Sequence, residues 1–394
     1  NGGMMSSSSC EAAPIQSLMS GPAGGMIACQ AIADALDVKK VLTMDMGGTS
    51  CDVGIIVNGE QKLTTQYEIE FGLTVSIPMI DIRTIGAGGG SIAWIDNGGF
   101  LQVGPLSAGA DPGPACYNLG GHVPTVTDAN LVLNRLIPEF FLNGEMLLSK
   151  DLARKAVATV SGSDESSLEE IATSITQISE DNMANAIRMI SVVEGHDPRE
   201  FSLMSFGGAG PLHATAIARK LSIPKVIIPV VPGNTSALGF LLADLRIDKI
   251  RTFPMRSDSL DVGRINQQFK DAEVSAAKEL RADQYRGTIF WVNVIKMRYA
   301  GQNHEYDVPI PYGPLTDDVL HAAFDSFHQR HEALYGYQLP DAIIEIISLS
   351  TTAVGRTDKP PMEYLCPEKT GSKAQEQSVY FPETGYIDTK IIER

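Results

Sequence analysis

The stretch VLTMDMGGTSCDVGIIVNGEQKLTTQ, Val41 to Gln66, decides the reading of this chain. An apolar run from Val41 to Met46 contains Asp45 near its end and passes into Gly47, Gly48, Thr49 and Ser50, after which a second run, Cys51 to Val57, returns at once. Both runs read as strands, and Asn58-Gly59, a dipeptide suited to a two-residue hairpin turn, leads to a third strand from Gln61 to Gln66. The expectation is a three-stranded antiparallel meander with an acid, two glycines and two hydroxyls at its first tip. Glycines lack the Cβ that would keep backbone N–H groups away from an anion, Thr49 and Ser50 add hydroxyl donors, and Asp45 at the strand end suits a hydrated Mg²⁺. Together these residues suit a phosphate; a hairpin whose glycines serve only the turn is the plainer alternative.

Before this meander, Ser20 to Leu36 has helical composition with Gly24 and Gly25 near its start, a pair that invites close approach of another backbone. After it, glycine density rises between Ile80 and Gly121, and Thr127 or Asp128 is placed to cap a helix running through Arg135. Ser167-Leu-Glu-Glu170 has capping-box spacing and opens a helix reaching about Glu194, with Gly195 as its stop. Phe201 to Leu221 then reads as strand, glycine turn and helix, so that Gly207, Gly208 and Gly210 lie where free N–H groups and a helix dipole attract anions or polar ligand edges. Ser236-Ala-Leu-Gly239 mirrors the small residues at Ser20 to Gly25, and two such helices either cross closely and act as a hinge or are buried independently of one another.

Beyond about Arg251 the pattern changes to an amphipathic helix (Ile265 to Leu280), a strand-turn-strand (Thr288 to Val308), a helix (Thr316 to Tyr335) and a strand (Ile343 to Val354). The expected division is residues 1–40 as connecting segment and crossing helix, 41–250 as an α/β lobe, and 251–394 as a separate, incomplete α+β domain. The last forty residues are weakly patterned.

Bulk properties narrow the partners. With 394 residues, a net charge of −16 and no Lys/Arg cluster, the chain is unsuited to nucleic acid or anionic lipid. Its hydrophobic stretches are broken by prolines, glycines and polar residues, so no membrane span is expected. Cys10, Cys29, Cys51, Cys116 and Cys366 are odd in number and never form a CxxC pair, which fits a reducing cytoplasm. Asp81, Asp111, Cys116 and Asp128 are weak candidates for a metal, with turn-capping acids and a buried thiol as the structural alternative. His328 and His331 read as a solvated helix face.

The motifs SGPAGG, DMGGTSCDV, TIGAGGGSIAWID, VGPLSAGADPGPACY, PTVTDANLVLNRL, NMANAIRMISVVEGHDPREF and FGGAGPLHA resemble, almost word for word, the hydantoinase A/oxoprolinase family, over residue 1 to about Gly355. That family includes ATP-dependent hydantoinases, oxoprolinases and the acetone and acetophenone carboxylases. The resemblance implies the second half of an actin/hexokinase/Hsp70-like ATPase, in which two lobes each supply an Asp-x-Gly-Gly-Thr hairpin, followed by a smaller α+β domain. Only one such hairpin is present here, which implies a fragment, or a subunit whose missing lobe comes from elsewhere, together with a hydantoinase B-type partner. The implied chemistry is ATP-dependent phosphorylation of a carbonyl oxygen, either before hydrolysis of a cyclic amide or before carboxylation of a ketone; a non-catalytic nucleotide-binding half is the third alternative. In this scheme Asp45 organises Mg²⁺ and water, Gly47, Gly48, Thr49 and Ser50 hold phosphate, Asp52 on the returning strand either assists them or is only a turn acid, and Gly207, Gly208 and Gly210 line the adenosine side. Gly88, Gly89, Gly90 and Ser91 either face substrate or partner or form a packing turn. Arg83 stands where histidine is common in the family, which puts any role of that histidine in doubt.

Overall fold

The computed structural model describes residues 2–64, 67–70, 73–75, 77–161, 166–361 and 375–392. Cys366 and the end of the third expected strand, residues 65 and 66, lie outside them. The chain divides into two compact units: residues 21–64, 80–241 and 360–394 form one, and residues 1–20, 65–79 and 242–359 form the other. The boundary expected at 250/251 falls inside one continuous strand, Leu245–Arg256.

The first unit is built on β1 (Lys40–Met46), whose Val41, Leu42 and Met44 are fully buried because both faces of the strand are covered. β1 pairs antiparallel with β2 (Cys51–Val57), and β2 pairs with the two-residue β3 (Glu60–Gln61), so the meander forms but its third strand is short. Asn58 and Gly59 both have positive φ (55° and 77°), as a type I′ turn requires. β4 (Ile82–Ile85) adds to β2, while β5 (Ser202–Phe206) and β6 (Lys225–Ile227) extend the other edge in parallel, giving the order β6-β5-β1-β2-β3 with β4 also on β2. Helices α1 (Ser20–Ala35), α2 (Val126–Val132), α3 (Leu168–Ser191), α4 (Gly210–Leu221) and α5 (Thr235–Leu242) belong to this unit, apart from residues at its borders. The apolar faces of α2, α3 and α4 meet the sheet through Leu131, Met183, Ile187 and Ile217, which pack with Leu42, Met44 and Ile55 in one core.

Helix ends follow local chemistry. The Ser167–Glu170 capping box is present at α3, and Gly195, at φ 82°, closes the short 3-10 turn that follows α3. At α2 the cap is Thr125 rather than Thr127 or Asp128; Asp128 is the third helical residue and reaches back to the Thr125 N–H, completing a capping box. The helix then stops at Val132, short of Arg135, and Asn134 takes a left-handed conformation.

The second unit is an antiparallel sheet with strand order Leu245–Arg256, Ile344–Gly355, Ile289–Tyr299, Tyr306–Ile310, accompanied by helices Val262–Ala282 and Asp317–Tyr335. Ile265, Phe269, Ile295, Met297, Phe327 and Ile346 form its core. His331 is 1% exposed, and its ring nitrogens lie 2.9 Å from the Tyr337 carbonyl and 3.3 Å from Gln302 Oε1, so it is a core residue and not part of a solvated face. His328, half-buried, has its Nδ1 2.6 Å from the Tyr299 hydroxyl. The final residues do form structure: strands Gln375–Phe381 and Gly385–Ile391 pair as a hairpin, and the Tyr380 N–H donates to the Leu133 carbonyl at 3.0 Å.

Candidate active site

The β1–β2 hairpin carries the candidate site at its tip. Met46 pairs with Cys51, and the Gly47 N–H donates to the Ser50 carbonyl at 3.1 Å, closing a tight four-residue loop. The N–H groups of Gly48, Thr49 and Ser50 and the hydroxyls of Thr49 and Ser50 have no partner among the described residues. A Cβ added at Gly47 or Gly48 would meet nothing within 4 Å, so open space lies beside donors that the protein itself leaves unpaired.

One rung below the tip, Asp45 and Asp52 are direct cross-strand partners, which places two half-buried carboxylates side by side. Burial raises the pKa of Asp45, the Ser236 hydroxyl bound to it at 3.2 Å works against the shift, and the charge of Asp52 adds to it. Burial likewise raises Asp52, opposed by a hydrogen bond from the Thr84 hydroxyl. Two like charges at one rung are uncomfortable alone and favourable around a divalent cation, whose preferred ligands are carboxylate and water oxygens. The donor set and the open side of the loop therefore fit a phosphate with Mg²⁺, and Asp45 and Asp52 are the residues that would hold the cation.

The loop Gly86 to Ser91 packs against the hairpin tip. Gly88, Gly89, Gly90 and Ser91 are buried, and the Gly89 and Gly90 N–H groups donate to the carbonyls of Gly47 and Gly48 at 3.0 and 2.6 Å. A Cβ at Gly88 would lie 2.6 Å from the Gly48 carbonyl, so only glycine permits this approach. The Thr127 hydroxyl, which the sequence suggested as a cap, instead donates to the Gly89 carbonyl at 2.8 Å. The segment braces the hairpin tip from behind.

The second glycine turn joins the same place. Gly207, between β5 and α4, has φ 82°, and the Ala209 N–H donates to the Met46 carbonyl at 2.9 Å, tying this turn to the end of β1. A Cβ on Gly207 would stand 2.5 Å from Asp45 Oδ1 and one on Gly210 2.9 Å from Ser205 Oγ, whereas one on Gly208 would meet nothing within 4 Å. Gly207 thus meets Asp45, while Gly210 is a buried helix-start residue. The expected crossing of small residues also forms, since a Cβ on Gly239 of α5 would fall 1.7 Å from the Gly24 carbonyl of α1.

The suggested metal ligands are engaged elsewhere. Asp128 accepts from the Ala115, Cys116 and Thr125 N–H groups and from the Thr125 hydroxyl at 2.7 to 3.2 Å. Burial, with the charge of Asp128, pushes the Cys116 thiol far up, away from the thiolate a metal would need. Asp81 pairs with Lys62 at 3.0 Å, and Asp111 is exposed. Among the described residues no group of three or more His, Cys, Asp or Glu is arranged to hold a metal ion. Arg83 is exposed on β4.

Sequence reasoning missed one polar cluster. His213 of α4 is fully buried, with Nδ1 3.2 Å from Glu180 Oε1 of α3 and Nε2 3.3 Å from Asn130 Nδ2 of α2. The Asn130 amide is a donor, so Nε2 accepts and the Nδ1 hydrogen points to Glu180, making a polar cross-brace among three helices. A histidine four residues into an otherwise small and apolar helix start was the available signal.

A family model described as hydantoinase/oxoprolinase matches residues 1–249, and the chain belongs to that family. The caprolactamase alpha subunit of Pseudomonas jessenii is 36% identical over 373 residues, 93% of this chain and 53% of the relative. The acetophenone carboxylase gamma subunit of Aromatoleum aromaticum is 40% identical over 218 residues, 54% of this chain and 29% of the relative. The crystal structure of the ATP-dependent caprolactamase from Pseudomonas jessenii superposes with a TM-score of 0.80 at 35% identity, covering 94% of this chain and 55% of that one. The chain spans about half the length of the curated relatives it matches. No helix among the described residues is long and apolar enough to cross a membrane.

Proposed function

We propose that this chain supplies one phosphate-binding wall, of the actin/hexokinase/Hsp70 type, to an ATP-dependent enzyme that opens cyclic amides. The observation that carries this reading is the set of unpaired N–H groups at Gly48, Thr49 and Ser50 directly above the cross-strand pair Asp45 and Asp52. The first unit is the ATPase lobe in this reading, and the counterpart hairpin comes from a segment or subunit beyond this chain. Bound ATP with Mg²⁺ would supply the phosphoryl group that turns a carbonyl oxygen into a better leaving group.

The chain's own residues then have distinct tasks. Asp45 and Asp52 would hold the hydrated cation, whose charge would offset their mutual repulsion. The tip N–H groups and the Thr49 and Ser50 hydroxyls neutralise charge on the phosphate oxygens, an effect that grows as water is excluded. Gly207 and Gly208 line the adenosine side, and the Gly88–Ser91 brace fixes the tip so that its donors are preorganised. Cyclic amide as substrate class rests on the caprolactamase relative, and a hydantoinase B-type subunit is the partner proposed. A reducing cytoplasm suits Cys10, Cys29, Cys51 and Cys116, none of which is in a disulfide.

A ketone carboxylase is the second reading, favoured by the acetophenone carboxylase gamma relative. The deciding experiment is phosphate release by the chain with its copurifying partner, supplied with ATP and either caprolactam, 5-oxoproline or hydantoin, or with acetone or acetophenone plus bicarbonate. Stimulation by a cyclic amide that disappears in Asp45→Asn is expected. Stimulation only by ketone and bicarbonate would replace the substrate class, and failure to bind nucleotide at all would remove the ATPase reading.

A further inference from the structure

Two of the free donors at the hairpin tip are aimed by the loop that braces it. In a trans peptide unit the carbonyl and the N–H that follows it lie in one plane and point in opposite directions. The Gly89 and Gly90 N–H groups hold the Gly47 and Gly48 carbonyls at 3.0 and 2.6 Å, and so direct the Gly48 and Thr49 N–H groups away from the brace. The brace is itself held, since the Gly89 carbonyl accepts from both the N–H and the hydroxyl of Thr127, each at 2.8 Å, in the first turn of α2. A second clamp, the Ala209 N–H at the entry to α4, holds the Met46 carbonyl at 2.9 Å. The carbonyls of Met46, Gly47 and Gly48 are thus fixed by clamps that rest on the starts of two helices.

About one turn beyond its clamp each helix carries a buried polar residue, Asn130 on α2 and His213 on α4, and the two meet. Asn130 Nδ2 donates to the Val126 carbonyl at 3.0 Å and lies 3.3 Å from His213 Nε2. A carbonyl only accepts, so Asn130 presents its amino group there, His213 Nε2 accepts from it, and the Nδ1 hydrogen is left for Glu180 Oε1 of α3 at 3.2 Å. Directional contacts of this kind favour one spacing of α2 and α4, where apolar side chains packed on one another tolerate several.

We propose that His213 is a positioning residue for the phosphate-binding tip: joined to Asn130, it sets the spacing between the starts of α2 and α4 and thereby the aim of the Gly48 and Thr49 N–H groups. The inference rests on the ATP reading of that tip. His213 is fully buried and acts only through the two clamps.

The test sets Mg²⁺-ATP affinity against stability, by calorimetric titration and thermal melting of the full chain with its copurifying partner. His213→Leu removes the link and should weaken Mg²⁺-ATP binding roughly tenfold or more, the worth of one misaimed hydrogen bond to a charged group. His213→Gln, whose amide oxygen replaces Nε2 as the acceptor for Asn130, should keep the affinity within about threefold of the parent. Ile217→Ala, a cavity in the core on the same helix, should lower the melting temperature and leave the affinity unchanged, which separates positioning from stability. If His213→Leu fails to fold, Asn130→Leu carries the test with the same expected loss. The proposal is overturned if the leucine variant keeps the parent's affinity, if His213→Gln loses as much as His213→Leu, or if Ile217→Ala weakens binding equally. A parent that binds no Mg²⁺-ATP removes the ATP reading and this inference with it; a parent that binds, beside a leucine variant that binds as well, removes the inference alone.

Discussion

Gly207 and Gly208 are neighbours in sequence with opposite surroundings, and alanine at each position separates the architecture of the site from its ligand. At Gly207 the backbone is left-handed (φ 82°), and a methyl group would lie 2.3 Å from the Met46 carbonyl oxygen and 2.5 Å from Asp45 Oδ1. The left-handed conformation costs alanine about 1 kcal/mol relative to glycine. The Met46 carbonyl cannot retreat without loosening its 2.9 Å bond from the Ala209 N–H, and overpacking of this kind adds about 1–3 kcal/mol. Gly207→Ala should therefore destabilise the first unit by about 2–4 kcal/mol. A methyl at Gly208 meets nothing within 4 Å and reduces the freedom of the unfolded chain, so Gly208→Ala should be neutral or stabilising by up to about 1 kcal/mol. If Gly208 lines the adenosine side as proposed, the same methyl should weaken nucleotide binding. Guanidinium unfolding followed by circular dichroism measures the first effect and calorimetric nucleotide titration the second. The reasoning fails if Gly207→Ala stays within about 0.5 kcal/mol of the parent, or if Gly208→Ala destabilises as much as its neighbour.

Asp52→Asn should stabilise the ligand-free protein at pH 7 by about 0.2–1 kcal/mol, the usual cost of like charges directly opposite on a sheet, while weakening Mg²⁺-nucleotide binding. The sign follows from its raised folded pKa: the native state keeps the proton longer than the unfolded chain, so the wild type is favoured in acid and loses ground to the variant as pH rises from roughly 4, where a free carboxylate titrates; urea midpoints across pH 3.5 to 7.5 that stay parallel would contradict it. Asp128→Ala should cost at least about 3 kcal/mol by stranding its buried donors, and a chelator should leave the melting temperature unchanged; a chelator-induced drop that vanishes in the variant would reinstate a metal there. Gly239→Ala gains about 1 kcal/mol of helix propensity but forces a methyl to within 1.7 Å of the Gly24 carbonyl, so net destabilisation is expected in a thermal melt, and a stabilised variant would mean that α1 and α5 do not cross so closely.

The residues that proved legible act on their immediate neighbours. Apolar runs, the Asn58-Gly59 turn and the Ser167 capping box each fix a local conformation, and each stands where the sequence placed it. What failed depends on distant chain. Thr125 and Asp128 also have capping-box spacing, yet an acid just before an apolar run reads equally well as the cap itself. His331 looks solvent-facing on its own helix, but Tyr299 and Tyr306 from two separate strands enclose it, with ring centroids 4.8 and 6.1 Å away. Glycine density announced that residues 86–91 approach something closely; that the something is the backbone of Gly48 required the fold. The closing hairpin has exposed faces and little hydrophobic contrast, and it is held by Leu133 and Asn134, more than two hundred residues earlier.

The strongest reason to place a ligand at the hairpin tip is a contrast within the same unit. At Asp128 the chain surrounds one buried carboxylate with four donors and leaves no charge unanswered. At the tip of β1 and β2 it sets two half-buried carboxylates on one rung with one hydroxyl donor each, and leaves three backbone N–H groups without a partner among the described residues. The exposed surface at the tip is neither loose nor irregular, since the Gly89 and Gly90 N–H groups pin it from behind. Two neighbouring acids with one hydroxyl donor each repel one another in the free protein, and a bound cation would relieve that repulsion. A phosphate carrying Mg²⁺ brings that cation together with an acceptor for the N–H groups, and this complementarity, more than the glycines themselves, distinguishes the tip from an ordinary turn.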